Sequence, residues 1–144
     1  MALTVARLLA AKGHDTWTIA PDATVYDAIA LMAERGIGAL LVMEGEQLVG
    51  IVTERDYARK VILRDRSSRD TPVSTIMSGD IVTVRPDQTI EACMEIMTEK
   101  RIRHLPVVQD GQVTGILSIG DLVKFIIADR EQLIEQLEGY ITGR

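Results

Sequence analysis

The stretch Leu48-Val49-Gly50-Ile51-Val52-Thr53-Glu54-Arg55-Asp56 decides how this chain is read. A short apolar run passes through a glycine to a hydroxyl residue, and an aspartate follows three residues on. That order predicts a strand leading into a helix, with Thr53 as its cap and Asp56 in its first turn. The pattern returns at Val113-Thr114-Gly115-Ile116-Leu117-Ser118-Ile119-Gly120-Asp121. Thr53 and Asp56 thus correspond to Ser118 and Asp121, 65 positions later.

The repeat extends outward from this stretch. Residues 17–62 lie over 82–127 without a gap. Thr18, Pro21, Asp22, Thr24, Met32, Glu34, Ile37, Leu40, Val42, Gln47, Gly50, Ile51, Asp56 and Ile62 each meet an identical residue. Two copies are too few for a stacked array and predict two pseudo-symmetric subdomains that share a core. In the first copy the spacing predicts a strand at 17–20 and a helix from Thr24 to about Arg35. Val25, Ala28, Ile29 and Met32 form its apolar face and Gly36 its stop. A hairpin of 39–43 with 48–52 follows, then a helix to about Leu63. The second copy repeats this with a strand at 81–84, a helix capped by Thr89, a hairpin over Asp110-Gly111, and a last helix from about Gly120. That helix reaches as far as Tyr140. Before each copy stands a short apolar lead-in, Val5-Ala6-Arg7-Leu8-Leu9 and Val73-Ser74-Thr75-Ile76-Met77, here at an offset of 68. The fold class is α/β (α+β), two β-α-β-β-α repeats. The first, with the N-terminal helix, spans 1–63, a polar connector 64–72, and the second, with a helical extension, 73–144.

Composition narrows the function. At 144 residues the chain is one domain's worth, and halves of this size are marginal alone. Aromatics are 3% against 47% hydrophobic residues, so the core is aliphatic. A net charge of -5 argues against general binding to a phosphate backbone. The single Cys93 excludes an internal disulfide framework and a cysteine-based zinc cluster. The sequence has no run long and apolar enough to span a membrane, and residues 1–15 do not read as a targeting peptide, so the cytoplasm is expected. No nucleophile triad, phosphate loop, dinucleotide fingerprint or metal-ligand spacing is present, so catalysis and a metal are not expected.

Pro21-Asp22-x-Thr24 and Pro86-Asp87-x-Thr89, the run Arg103-His104-Leu105-Pro106-Val107, and the two Gly-x-x-Ser/Thr-x-x-Asp motifs, all in register, resemble a CBS-domain pair, the Bateman module. The likeness covers nearly the whole chain and is strongest to small stand-alone bacterial members. It implies a regulatory module that binds an adenine nucleotide (AMP, ADP, ATP or NAD; S-adenosylmethionine is also known in the family) between the repeats and signals through a protein partner. It further implies that the motif aspartates take the ribose hydroxyls, the short strands the adenine, and nearby basic residues the phosphate. In the first copy the implied site residues are Thr18, Ile19, Ile37, Gly38, Ala39, Leu40, Thr53, Arg55, Asp56, Arg59 and Lys60. In the second they are Thr83, Arg103, His104, Leu105, Pro106, Ser118, Gly120, Asp121 and Lys124.

Each of these has a plainer reading. Thr53 with Asp56 and Ser118 with Asp121 also describe a capping box. Arg55, Arg59 and Lys60 also describe a solvated helix face, although three cations beside a cleft in an acidic protein suit phosphate. Arg103 and His104 stand where the first copy has Gly38 and Ala39, so the two clefts are expected to differ. Cys93, Met32, Met94 and Met97 read as core, and His14 is assigned nothing. Two rival functions remain open at this point: a structural interaction module whose clefts bind little, and a nucleic-acid binder using the basic residues between 55 and 69. Leu133, Ile134 and Leu137, beyond the repeat, together with Val5, Leu8 and Leu9 of the N-terminal helix, are apolar stripes the repeat does not need, and they predict a homodimer.

Overall fold

Threonines cap four of the described helices, with Thr24, Thr53 and Thr89 doing so as expected from the sequence. A computed structural model describes residues 2–142. Thr4 caps α1 (Val5–Lys12), Thr24 caps α2 (Val25–Arg35), and Thr53 caps α3 (Glu54–Tyr57), which runs on into a π-helical turn at Ala58–Ile62. Before α2 lies β1 (Thr18–Ile19), and between α2 and α3 lie β2 (Ala39–Glu44) and β3 (Gln47–Thr53). The second half has α4 (Val73–Ile76), α5 (Ile90–Lys100) capped by Thr89, β4 (His104–Gln109), β5 (Gln112–Ser118) and the long α6 (Ile119–Thr142). Gly36 closes α2 in the left-handed region at φ 65°; its counterpart Arg101 closes α5 there at φ 56° without a glycine's freedom.

In the first half β1 pairs parallel with β2, and β2 antiparallel with β3. In the second, β4 and β5 form the matching hairpin, with its register shift at the equivalent point. The expected strand at 81–84 does not form; only a single parallel bridge from Val84 to Val107 remains. Proline explains the difference. In the first half Leu41 N–H donates to the Trp17 carbonyl at 3.0 Å. The position equivalent to Leu41 is Pro106, which has no N–H to offer Val82. The bridge survives one residue further on, where Val84 N–H donates to Pro106 at 3.0 Å and Val108 N–H donates to Val84 at 2.9 Å.

Two cores result, and the lead-in helices cross between them. Val25, Ala28, Met32, Leu40, Val42, Val52 and Val61 form the first core together with Val73 and Ile76 of α4. Ile90, Cys93, Met97, Leu105, Val107, Leu117 and Leu122 form the second together with Val5, Leu8 and Leu9 of α1, which are core and not the surplus apolar surface expected for a dimer. Main-chain bonds fix both crossings: Val73 N–H donates to Ala23 at 2.8 Å, and Val5 N–H to Gln88 at 2.9 Å. The division at 63 and 73 read from the sequence therefore follows the chain but not the cores: α1 belongs with the second and α4 with the first. The motif glycines make room for this. A Cβ on Gly50 would lie 2.6 Å from Met77 Sδ and 3.0 Å from the Ser78 carbonyl, and one on Gly115 2.8 Å from Leu9 Cδ2. Cys93 is a core residue, its thiol pushed up to about 11 by burial. Beyond Ile127 the apolar stripe of α6 is left in the open, with Leu133 53%, Ile134 53% and Leu137 55% exposed.

Candidate functional site

Both motif aspartates cap their helices. Asp56 N–H donates to Thr53 Oγ1 at 3.1 Å, and Asp56 Oδ2 accepts from Thr53 N–H at 2.9 Å and from its hydroxyl at 3.1 Å. Asp121 N–H donates to Ser118 Oγ at 3.1 Å, and Asp121 Oδ2 accepts from Ser118 N–H at 2.8 Å. These contacts fix each carboxylate at a strand-to-helix junction.

The junction at Asp56 opens on a cavity of about 460 Å³ built from both halves. The first half contributes Gly38, Ile51, Thr53, Glu54, Arg55, Asp56 and Arg59; the second contributes Ile81, Val82, Arg101, Ile102, Arg103, His104 and Pro106, with Ser78 and Asp80 from the linker before it. One wall is apolar, through Ile51, Ile81, Val82, Ile102 and Pro106. Four arginines stand around it, and Arg55 donates to the Arg101 carbonyl at 3.2 Å, joining the halves across the opening. Burial pushes the half-buried His104 imidazole below its ordinary value; the charge of Asp121 opposes this, while Lys12 and Arg103 reinforce it. His104 is therefore neutral at pH 7. It lines the Asp56 cavity, 3.8 Å from a Cβ placed on Gly38, and also senses the charge at Asp121.

A wider groove of about 990 Å³ runs along α5 and α6. Its charged residues include Glu91, Glu95, Glu99 and Asp129 against Arg130, and neither motif aspartate lines it, the cap Thr89 being the motif residue that does. That charge suits a phosphate poorly, so the smaller cavity is the better candidate.

Of the expected site residues, Gly38, Thr53, Arg55, Asp56, Arg59, Arg103, His104 and Pro106 come together in that cavity. Lys60 does not line it. Its ammonium donates to the Ile76 carbonyl at 2.9 Å and lies 3.4 Å from Asp56 Oδ1, so it ties the aspartate to the end of α4. Ala39, Leu40 and Leu105 are buried, and Ile37 packs against the first core. Thr18 and Ile19 form β1, and Thr83 is exposed beside the Val84 bridge. Ser118, Gly120, Asp121 and Lys124 gather at the start of α6, where Lys124 is exposed and Lys12 reaches Asp121, Nζ to Oδ2 2.7 Å. Burial pushes the Asp121 carboxyl up, but the Lys12 ammonium and Ser118 outweigh it and hold the group below the usual carboxylate range.

Arg101, Val82 and Lys12 were not expected at the clefts. Arg101 aligns with the helix stop Gly36, and Lys12 lies ahead of the repeat. Only the absence of a donor at Pro106, which leaves the Val82 carbonyl without the partner that Trp17 has, pointed to Val82.

The CBS domain model matches residues 13–63 and 73–128. The chain belongs to the CBS-domain family. This CBS pair is 42% identical over 138 residues to the mitochondrial CBS domain-containing protein CBSX3 of Arabidopsis thaliana, covering 92% of the chain and 66% of the relative. It thus spans just under two thirds of that relative's length. A solved CBS-domain protein from Burkholderia ambifaria superposes with a TM-score of 0.85 at 54% identity, covering 88% of this chain and 95% of that one. The CBS-domain protein of Pyrobaculum aerophilum complexed with AMP shares the fold at 24% identity, TM-score 0.74, over 83% of this chain and 89% of that one. Among the described residues no helix is long and apolar enough to cross a membrane, and no group of His, Cys, Asp and Glu is placed to hold a metal ion.

Proposed function

We propose that this CBS pair is a non-catalytic sensor of an adenine nucleotide, AMP, ADP, ATP or NAD, held in the cleft that both halves build around Asp56. One observation carries the reading: a fixed carboxylate, an apolar wall and four arginines share one cavity of about 460 Å³. A carboxylate accepts from two vicinal hydroxyls, which suits a ribose. Guanidinium groups match phosphate oxygens in pairs, which suits Arg55, Arg59, Arg101 and Arg103. The apolar wall offers the adenine a dry face, and the Val82 carbonyl is an acceptor for its exocyclic amine. The AMP bound by a CBS pair of the same fold supports this choice of ligand class. A nucleotide there touches both halves, so binding biases their relative placement, and the output is a contact with an effector protein. The cytoplasm is the proposed compartment; the mitochondrial relative names the alternative, which cell fractionation decides. Nucleic acid and membrane are not proposed as partners.

Calorimetry on ligand-stripped protein with AMP, ADP, ATP and NAD tests the reading. Saturable binding of at least one of them, lost with Arg55→Ala/Arg101→Ala, is expected. Failure of all four at millimolar concentration would leave the rival, a structural interaction module, which the capping role of both aspartates favours.

We also infer a homodimer formed through the exposed stripe of α6. A monomer mass in light scattering across micromolar concentrations would exclude it.

A further inference from the structure

The Asp56 cavity holds two carboxylates that the nucleotide reading leaves without a duty. Beside its four arginines stand Glu54 and Asp80. Glu54 reaches over Gly38: its Oε1 lies 3.0 Å from a Cβ placed there, and the His104 ring comes to 3.8 Å of the same point. Among the described residues neither Glu54 nor Asp80 is ion-paired, although guanidiniums line the same cavity. The plainer duty of Glu54 is that of an acid at a helix start. Asp56 already fills that role in α3, as Asp121 does in α6, where the position of Glu54 is taken by the uncharged Ile119.

We propose that Glu54 and Asp80 set how many phosphates the Asp56 cavity takes: they cancel half of its guanidinium charge, so the site prefers adenosine monophosphate to the di- and triphosphate. The proposal rests on the nucleotide-sensing reading above. Asp56 is offset by Lys60, 3.4 Å away and outside the cavity lining, and burial keeps His104 neutral. Four guanidiniums against two unpaired carboxylates then leave a surplus of two positive charges. A phosphate monoester carries about −1.5 to −2 at pH 7, which meets that surplus. Each further phosphoryl group adds negative charge where Glu54 and Asp80 repel it, and like charges brought together in a partly desolvated site are costly. Four arginines without these carboxylates would give the opposite order, with the most highly charged nucleotide bound best.

Calorimetry on the full, ligand-stripped chain, at low ionic strength and in EDTA, compares AMP, ADP and ATP. Wild type is expected to bind them in that order of falling affinity, AMP at least about tenfold more tightly than ATP. In Glu54→Gln/Asp80→Asn, ATP should gain more than AMP does, so that the ratio shrinks severalfold. Glu44→Gln/Glu46→Gln, at the β2–β3 hairpin and outside the cavity lining, makes the same change of net charge and should leave the ratio where it is. An equal shift from this control overturns the proposal, because net charge and not the cavity then sets the order. ATP bound by wild type as tightly as AMP overturns it too, as does a ratio that Glu54→Gln/Asp80→Asn does not move; both leave the sensing reading standing. No saturable binding of any of the three overturns the proposal, and failure of NAD as well overturns the sensing reading with it. Glu54 and Asp80 are exposed. If the double variant does not fold, each single change is read against the same ratio, and a ratio unmoved by both overturns the role of the pair.

Discussion

Asp56 caps α3 and is proposed to hold a ribose, and the two duties separate by magnitude. Its Oδ2 completes the Thr53 cap at 2.9 Å, and loss of such a cap costs about 1 kcal/mol of stability. A carboxylate that also takes ribose hydroxyls is worth more to the ligand, about 1.5–3 kcal/mol of binding. Asp56→Ala should therefore lower nucleotide affinity more than it lowers the unfolding free energy, as calorimetry and urea titration on the same sample will read. Equal small losses would leave Asp56 a cap only. His104 gives a second test at this scale. Burial holds its imidazole below the ordinary 6.5, so the unfolded chain takes up the proton first as pH falls. The stability this contributes is complete above about 6.5 and is lost as the pH drops through the folded value. Wild-type protein should lose stability from pH 7 to 5, and His104→Gln should flatten that slope. An unchanged slope would place the titration elsewhere.

Local periodicity made the helices and hairpins legible, because each element depends on residues within a few positions of one another. Thr24, Thr89, Gly36 and the turn at Asp110-Gly111 announced their roles for that reason. The strand at 81–84 was misread because its fate depends on Pro106 in another strand. The crossing of α1 and α4 was not legible, since both carry the same apolar pattern. Within the site, Asp56 was legible from the repeat. Arg101 was not, because a left-handed helix stop reads as glycine chemistry. The glycine in each motif can be tested at this scale. Gly50→Ala would press a Cβ against Met77 and the Ser78 main chain, and Gly115→Ala would press one against the buried Leu9. Each should cost about 1–3 kcal/mol in urea unfolding, the usual toll of overpacking. A neutral Gly50→Ala would show that α4 and its flanking chain yield freely.

For the whole molecule, the stripe of Leu133, Ile134 and Leu137, each more than half exposed, is apolar surface that neither core uses. Leu133→Glu with Leu137→Glu should convert a dimer to a monomer in light scattering without lowering the melting temperature of the CBS pair. A dimer that survives both changes would place the interface elsewhere. The crossed lead-ins also set an order of assembly. The first core is continuous in sequence from β1 to α4 and can close as soon as Ile76 is available. α1 is synthesised before that core, yet its Val5, Leu8 and Leu9 rest on Leu117 and Leu122, so it must wait, apolar face uncovered, while the rest of the chain is made. Closing so long a loop comes late for entropic reasons. In pulse-labelled hydrogen exchange during refolding, the amides of α4 should become protected before those of α1, although α1 comes first in the sequence.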